Sequence, residues 1–256
     1  MNAHRVRQWL RAGIRRFGFD VVRHPTPRDL EGHVKLLLDE LTIDHVLDVG
    51  ANTGQYGQFL RRSGYTGKIT SFEPVSSTFA ALQATIAGDS EWNAVKVALG
   101  AEPGAATIHV MRSRDYSSML PPNTEQRGPA CDMEHDEQVR VVRLDDVYAD
   151  LVEDGSSVLL KLDTQGWDLV VLEGAARCLS DVSAIQTEVS IIPLYDGMPT
   201  WIDSMARVAE LGFAPTGLFP VTYADNFRSV EFDLIAARTQ RAAGLSLRAA
   251  DQAVGA

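Results

Sequence analysis

The stretch "HVLDVGANTGQYG", residues 45–57, sets a short apolar run ending in an acid directly before a glycine-rich turn. Runs such as "HVLDV" are typical of strands buried on both faces of a parallel sheet. Gly50 lets the chain turn tightly where the strand ends, and Gly54 lets the next helix pack closely and a ligand approach the backbone. Asn52, between them, is among the non-glycine types most tolerant of positive φ. All three are explained by one sharp strand-to-helix turn at a carboxyl strand end, where open parallel sheets bind ligands.

Outward from this turn the pattern alternates. A helix over Asp29–Leu41 precedes the strand; Gly54–Arg62 reads as a helix, "GKITSFE" as a strand, Ser76–Ala87 as a helix and "NAVKVAL" as a strand. "SVLLKLD" is a further strand, followed by a helix from Gln165 to Leu179 and the strand "VSAIQTE". Near the end, "FAPTGLFPV" and "SVEFDLIAAR" have no helix between them and can pair antiparallel at a sheet edge. The expected fold class is therefore α/β: a Rossmann-like, doubly wound, mostly parallel sheet with helices on both faces and an antiparallel edge strand near the C-terminus. The expected organisation is a helical extension over residues 1–41, one domain over 42–238 with a loop insertion at 112–138, and a tail over 239–256. Little periodicity and three prolines mark the insertion, which reads equally as a substrate-side lid or a mobile loop.

A formal net charge of -10 argues against a general nucleic-acid binder, which needs a surplus of Lys and Arg on one face. The expected partner is a small acceptor. Six arginines within residues 1–24 set the N-terminus apart, and Val6, Trp9, Leu10, Gly13, Ile14 and Phe17 form one stripe of a basic amphipathic helix over residues 5–17. Two readings of it stay open: peripheral contact with an anionic membrane surface, or packing across the domain with its arginines in solvent. Two cysteines, Cys131 and Cys178, in no metal-ligand or redox spacing, indicate neither a disulfide framework nor a zinc site. Without an apolar run long enough to span a bilayer or form a signal peptide, the protein is expected in the cytoplasm. Twenty arginines against four lysines, with abundant Ala, point to a GC-rich bacterial coding sequence.

Glu73 ends the second strand, 23 residues after Gly50. A carboxylate there can accept both hydroxyl protons of a ribose. The dinucleotide fingerprint would need glycines where Asn52 and Gln55 stand, which disfavours NAD, and no glycine precedes Lys and Ser or Thr as in a phosphate loop. What remains is D-x-G-x-N-x-G.

On these residues the sequence resembles the class I S-adenosylmethionine-dependent methyltransferases, and more narrowly the FkbM family. "VLDVGANTGQYG", "FEP" at Glu73, "VALG" at 97–100, "VRLDDV" at 142–147 and "LLKLDTQGWDLVVLEGA" at 159–175 carry the resemblance, in family order from about Val46 to Glu188. Trp167 and Asp168 stand where the commonest family form has an alanine and a glutamate. The resemblance implies S-adenosyl-L-methionine as cofactor. Asp48, Gly50, Asn52 and Gly54 would surround its methionine portion, Glu73 would hold its ribose, and Val97 and Ala98 would wall its adenine.

The reaction so implied is methylation of a hydroxyl on a sugar, glycolipid or polyketide-like metabolite, an in-line displacement assisted by orientation and a base. Asp163, ending "LLKLD" on the cofactor rim, is the first candidate base, and Glu188, ending "AIQTE", the second. Gln165 is a candidate to orient the acceptor or close a turn. No signature fixes a metal site. An NAD-dependent oxidoreductase and a nonenzymatic binding module remain as alternatives, and the sequence is silent on oligomeric state.

Overall fold

A computed structural model describes residues 13, 14, 16, 17, 29–123, 132–224 and 228–239. The helix expected over residues 5–17 and the tail after Thr239 fall largely outside these and are not described.

Helix α1, Leu30–Glu40, starts where Asp29 accepts the Gly32 amide proton, a cap worth about 1 kcal/mol. Then come β1 (His45–Val49), α2 (Gln55–Arg62), β2 (Lys68–Phe72), α3 (Ser76–Ile86) and β3 (Trp92–Val95). After β4 (Ala98–Leu99), β5 (Gly104–Met111) and β6 (Met133–Val142), the rhythm resumes with α4 (Leu144–Leu151), β7 (Val158–Leu162), α5 (Asp168–Glu173) and β8 (Val182–Ser190). Helix α6 (Trp201–Glu210) leads to β9 (Phe213–Ala224) and β10 (Arg228–Arg238).

Seven strands form the main sheet in the order β3-β2-β1-β7-β8-β10-β9. The first five run parallel; β10 pairs antiparallel with β8 and with β9, giving the antiparallel edge that the sequence predicts. Strand order reverses between β1 and β7, so the carboxyl ends of these two strands flank the switch point where such sheets open a crevice. Both faces are covered. Leu47, Val49, Leu160 and Leu162 pack with Leu144, Leu172 and Val208 on one side, while Val46, Ile69 and Leu159 pack with Val34, Leu38, Leu60 and Trp92 on the other. The strict period-2 alternation of β1 explains the split.

Three expectations are corrected. "NAVKVAL" is two strands in two sheets: β3 edges the main sheet, and β4 joins β5 and β6 in a three-stranded sheet. The helix expected from Gln165 is confined to Asp168–Glu173, because Gln165 and Gly166 both take positive φ, 54° and 91°, which no right-handed helix accommodates. The insertion at 112–138 is not one loop either. Residues 133–138 belong to β6, paired with β5, and Arg114–Tyr116 form a 3-10 turn; residues 124–131 lie outside the described residues.

Candidate active site

The glycine turn departs from β1 as the sequence predicts. Gly50, Asn52 and Gly54 all take positive φ, at 77°, 49° and 94°. The Gly50 and Ala51 amides donate to the Phe72 carbonyl, and the Asp163 amide donates to the Val49 carbonyl, which locks the ends of β1, β2 and β7 together. A Cβ on Gly50 would lie 2.0 Å from the Asp163 carbonyl oxygen, so backbone passes over backbone with no room for a side chain.

Between these strand ends lies a cavity of about 480 Å³, within the range of small-molecule sites. Gly50, Asn52, Glu73, Val97 and Ala98 line one half of it, and Asp163, Gln165 and Glu188 line the other. Of the ten residues singled out from sequence, only Asp48 and Gly54 are off its wall. Gly54 instead packs closely against Leu82, Thr85 and Trp92. Asp48 is fully buried beneath the cavity, accepting from the Ser71 hydroxyl and lying 3.1 Å from the Lys161 ammonium.

Glu73 is 6% exposed and accepts the backbone amides of Asn52 (3.0 Å) and Val75 (2.9 Å). Burial outweighs these two bonds and pushes its carboxyl up to about 7. The arrangement suits a nucleoside carrying a methionine: a carboxylate beside an apolar slot of Pro74, Val97, Ala98 and Leu99, next to a glycine turn whose backbone lines the cavity without bulky side chains. Trp167 also lines the cavity, a large ring at the position where the resembled family most often has alanine.

The other half is built from side chains on one face of the sheet. Asp48 of β1, Lys161 of β7 and Gln186 of β8 stand in register across adjacent strands, and Asp233 of β10 sits directly opposite Glu188. Lys161 is 5% exposed, and although burial opposes its charge, Asp48 and Asp163 hold it ionised well above the ordinary lysine range. The Tyr56 ring of α2 covers the ammonium at 5.3 Å, and its hydroxyl donates to Gln186 at 2.8 Å. Gln186 in turn donates to Asp233 at 3.0 Å.

Gln165 organises this half. Its amide nitrogen donates to both Asp163 (3.1 Å) and Glu188 (3.1 Å), and its amide oxygen lies 2.7 Å from the Tyr195 hydroxyl. Ser118 donates to the Gln165 backbone carbonyl at 2.7 Å, and Tyr195 also reaches the Tyr116 carbonyl at 2.8 Å. The 112–123 segment thus touches both halves, because Asp115 accepts from the Asn52 side chain at 2.6 Å.

Asp163 keeps 41% of its side chain exposed and lies 3.3 Å from Lys161. Glu188 is raised well above the ordinary glutamate range by burial first, then by Asp163, Glu231 and Asp233. Burial likewise brings Asp233 up to about 6. Asp168 does not reach the cavity wall; buried, it accepts the Thr164 amide and hydroxyl and fixes the turn into α5. His135 lies in β6, off the cavity wall. Among the described residues no trio of His, Cys, Asp or Glu is grouped to hold a metal ion.

Lys161, Tyr56, Gln186, Asp233 and Tyr195 were not picked out from sequence as site residues. A signal for the strand residues exists: Gln186, Glu188 and Ser190 in β8, and Glu231 and Asp233 in β10, recur every second position within apolar strands, marking one polar face.

Fold and cleft together define a class I methyltransferase whose cofactor is S-adenosylmethionine. A model of the methyltransferase FkbM domain matches residues 48–214, and the chain belongs to that family. No curated protein matches the sequence. Among solved structures the chain is similar to fibrillarin from Aeropyrum pernix with natively bound S-adenosyl-L-methionine, at 10% identity over 76% of this chain and 66% of that one, TM-score 0.45. It is also similar to magnesium protoporphyrin IX methyltransferase from Synechocystis PCC 6803, at 12% identity over 93% and 100%, TM-score 0.44. The chain thus spans just under two thirds of the fibrillarin's length. Among the described residues no helix is long and apolar enough to cross a membrane.

Proposed function

We propose that the protein transfers the methyl group of S-adenosylmethionine to a hydroxyl of a sugar, glycolipid or polyketide-like acceptor, with Asp163 as the base. The observation that carries this reading is the placement of Asp163. Its backbone abuts the glycine turn of the cofactor half, while its carboxylate opens into the acceptor half. Bound in the cleft, the cofactor supplies an electrophilic methyl on a sulfonium sulfur. Gly50 and Asn52 would face its methionine portion, Glu73 would accept the ribose hydroxyl protons, and Val97 and Ala98 would flank the adenine.

An alcohol becomes a competent nucleophile only as it loses its proton. Asp163 accepts that proton at its carboxylate, and Lys161 and Gln165 hold the carboxylate in place from two sides. Glu188, joined to Asp163 through the Gln165 amide, is the second group able to take the proton. Lys161 is unsuited as a base because it stays charged. The cavity wall carries acids at Asp163, Glu188, Glu231 and Asp233 against the cations Lys161 and Arg114, which favours a small neutral or cationic acceptor over nucleic acid. Residues 112–123 act as the lid in this reading, since Asp115 grips the cofactor turn and Ser118 the acceptor side.

The test is direct. Purified protein is titrated calorimetrically with S-adenosylmethionine, S-adenosylhomocysteine and NAD, then assayed for methyl transfer to a panel of hydroxylated sugars and glycosides. Micromolar binding of the first two, silence from NAD, and an O-methyl product are expected. Binding of NAD alone would replace the assignment with a dehydrogenase.

A further inference from the structure

Strands β8 and β10 set Glu188 and Asp233 directly opposite each other in an antiparallel pair. Directly opposed residues share one face of the sheet, and like charges in that relation repel. Both residues line the acceptor half of the cavity. Their hydrogen bonds come from neutral amides, Gln165 to Glu188 and Gln186 to Asp233, each using one carboxylate oxygen. Neither makes an ion pair with a cation among the described residues, and the nearby Lys161 has Asp48 and Asp163 as its partners. Asp233 also lies beyond residue 214, where the family match ends.

A sheet gains nothing from this opposition on its own account. A neutral hydroxyl donating into the pair would satisfy one oxygen but could not hold both carboxylates ionised, since burial and the facing acids already raise Glu188 well above the ordinary glutamate range. An ammonium donates to both carboxylates at once and cancels one charge, and charge-assisted bonds of that kind are about twice as strong as neutral ones. We propose that the acceptor carries a cationic amine, seated between Glu188 and Asp233, beside the hydroxyl presented to Asp163. This rests on the methyltransferase reading above and names the acceptor class within it. Because one Gln165 nitrogen touches both Asp163 and Glu188, the two carboxylates stand within two hydrogen-bond lengths. Amine and reacting hydroxyl then sit on ring carbons that are adjacent or one apart, as in a 1,2- or 1,3-amino alcohol. Amino sugars present that arrangement; uronates and sugar phosphates carry the charge the site rejects.

The test uses the full chain at pH 7 with saturating S-adenosylhomocysteine, titrated with glucosamine, glucose and glucuronate as probes. Glucosamine is expected to bind at least about tenfold more tightly than glucose, and glucuronate not at all. Asp233→Asn keeps an oxygen to accept from Gln186 and removes the opposed charge. It is expected to abolish the preference for glucosamine while raising the melting temperature, the combination expected of repulsion retained for binding. Equal binding of glucosamine and glucose, binding of none of the three, or an Asp233→Asn variant that keeps the preference or melts lower overturns the proposal. Failure to bind S-adenosylhomocysteine in the same cell defeats instead the methyltransferase reading on which it rests.

Discussion

The two halves of the cleft are built by different means. The cofactor half is made of backbone: a turn of three positive-φ residues, three strand ends tied by main-chain bonds, and one carboxylate held by two amides. The acceptor half is made of side chains from strands distant in sequence, held in two separate hydrogen-bonded groups, one around Gln165 and one around Gln186. The first half tolerates almost no change of shape but is indifferent to charge at most positions. The second is the reverse, since its members repel or hold one another by charge across a wall that can accommodate isosteric change.

Gly50 gives the sharpest test of that contrast. Gly50→Ala adds a Cβ 2.0 Å from a backbone oxygen at φ 77°, and neither atom belongs to a side chain that can swing away. The expected outcome is a loss of at least about 3 kcal/mol in denaturant unfolding, with cofactor binding abolished. Gly88→Ala is the control: φ is 93° but nothing lies within 4 Å, so the cost falls to about 1 kcal/mol and binding stays intact. Equal effects at the two positions would mean that backbone strain alone, and not the crossing with β7, sets the importance of Gly50.

Asp163→Asn is the matching test of the acceptor half. The amide is nearly isosteric, so fold and cofactor affinity should stay within about threefold, while turnover falls at least about a hundredfold. Near-normal turnover, measured in single-turnover assays, would move the base to Glu188.

The difference in construction also decides what could be read beforehand. The cofactor half is contiguous or nearly so: positive φ at Gly50, Asn52 and Gly54 follows from residue type, and the 23-residue spacing to Glu73 follows from one strand-helix-strand unit. Asp48 looked like part of the wall because it belongs to the motif. It lies on the same face of the sheet as Lys161 and Gln186, but is fully buried and ion-paired with Lys161, which lines the cavity in its place. The acceptor half depends on β10 lying beside β8, a pairing between segments over 40 residues apart that no local pattern fixes. Strand β4 escaped notice because it is two residues long, too short to show any period.

Glu73 sits between the two regimes, a charge inside the backbone half. Glu73→Ala should weaken S-adenosylhomocysteine binding by about 1.5 to 3 kcal/mol in titration. Acidity provides a second measurement on the same group. Its folded value of about 7 lies above the ordinary 4.5, so its contribution to stability is fully present below about pH 4.5 and is lost as pH rises through 7. Ribose recognition needs the ionised form. Cofactor affinity should therefore decline on acidification from pH 8 to 6 while the empty protein gains stability from this group, and Glu73→Gln should flatten both trends. A flat affinity profile in the unmodified protein would remove the carboxylate from cofactor recognition.

The smallest effect is expected at Tyr195, which acts only through Gln165. Its hydroxyl carries one proton between two acceptors, the Gln165 amide oxygen at 2.7 Å and the Tyr116 carbonyl at 2.8 Å. Donation to Gln165 fixes which end of the amide faces the carboxylates, but the carboxylates themselves already favour the nitrogen end, and Ser118 anchors the same residue through its backbone. The three restraints overlap, so removing one is partly compensated. Tyr195→Phe should lower turnover roughly threefold to tenfold, leave cofactor affinity unchanged, and shift the pH profile of turnover as the Asp163–Glu188 bridge loosens. An unshifted profile with unchanged turnover would show that the positive-φ turn at Gln165 positions the amide without help, and that even the acceptor half rests, at its centre, on backbone.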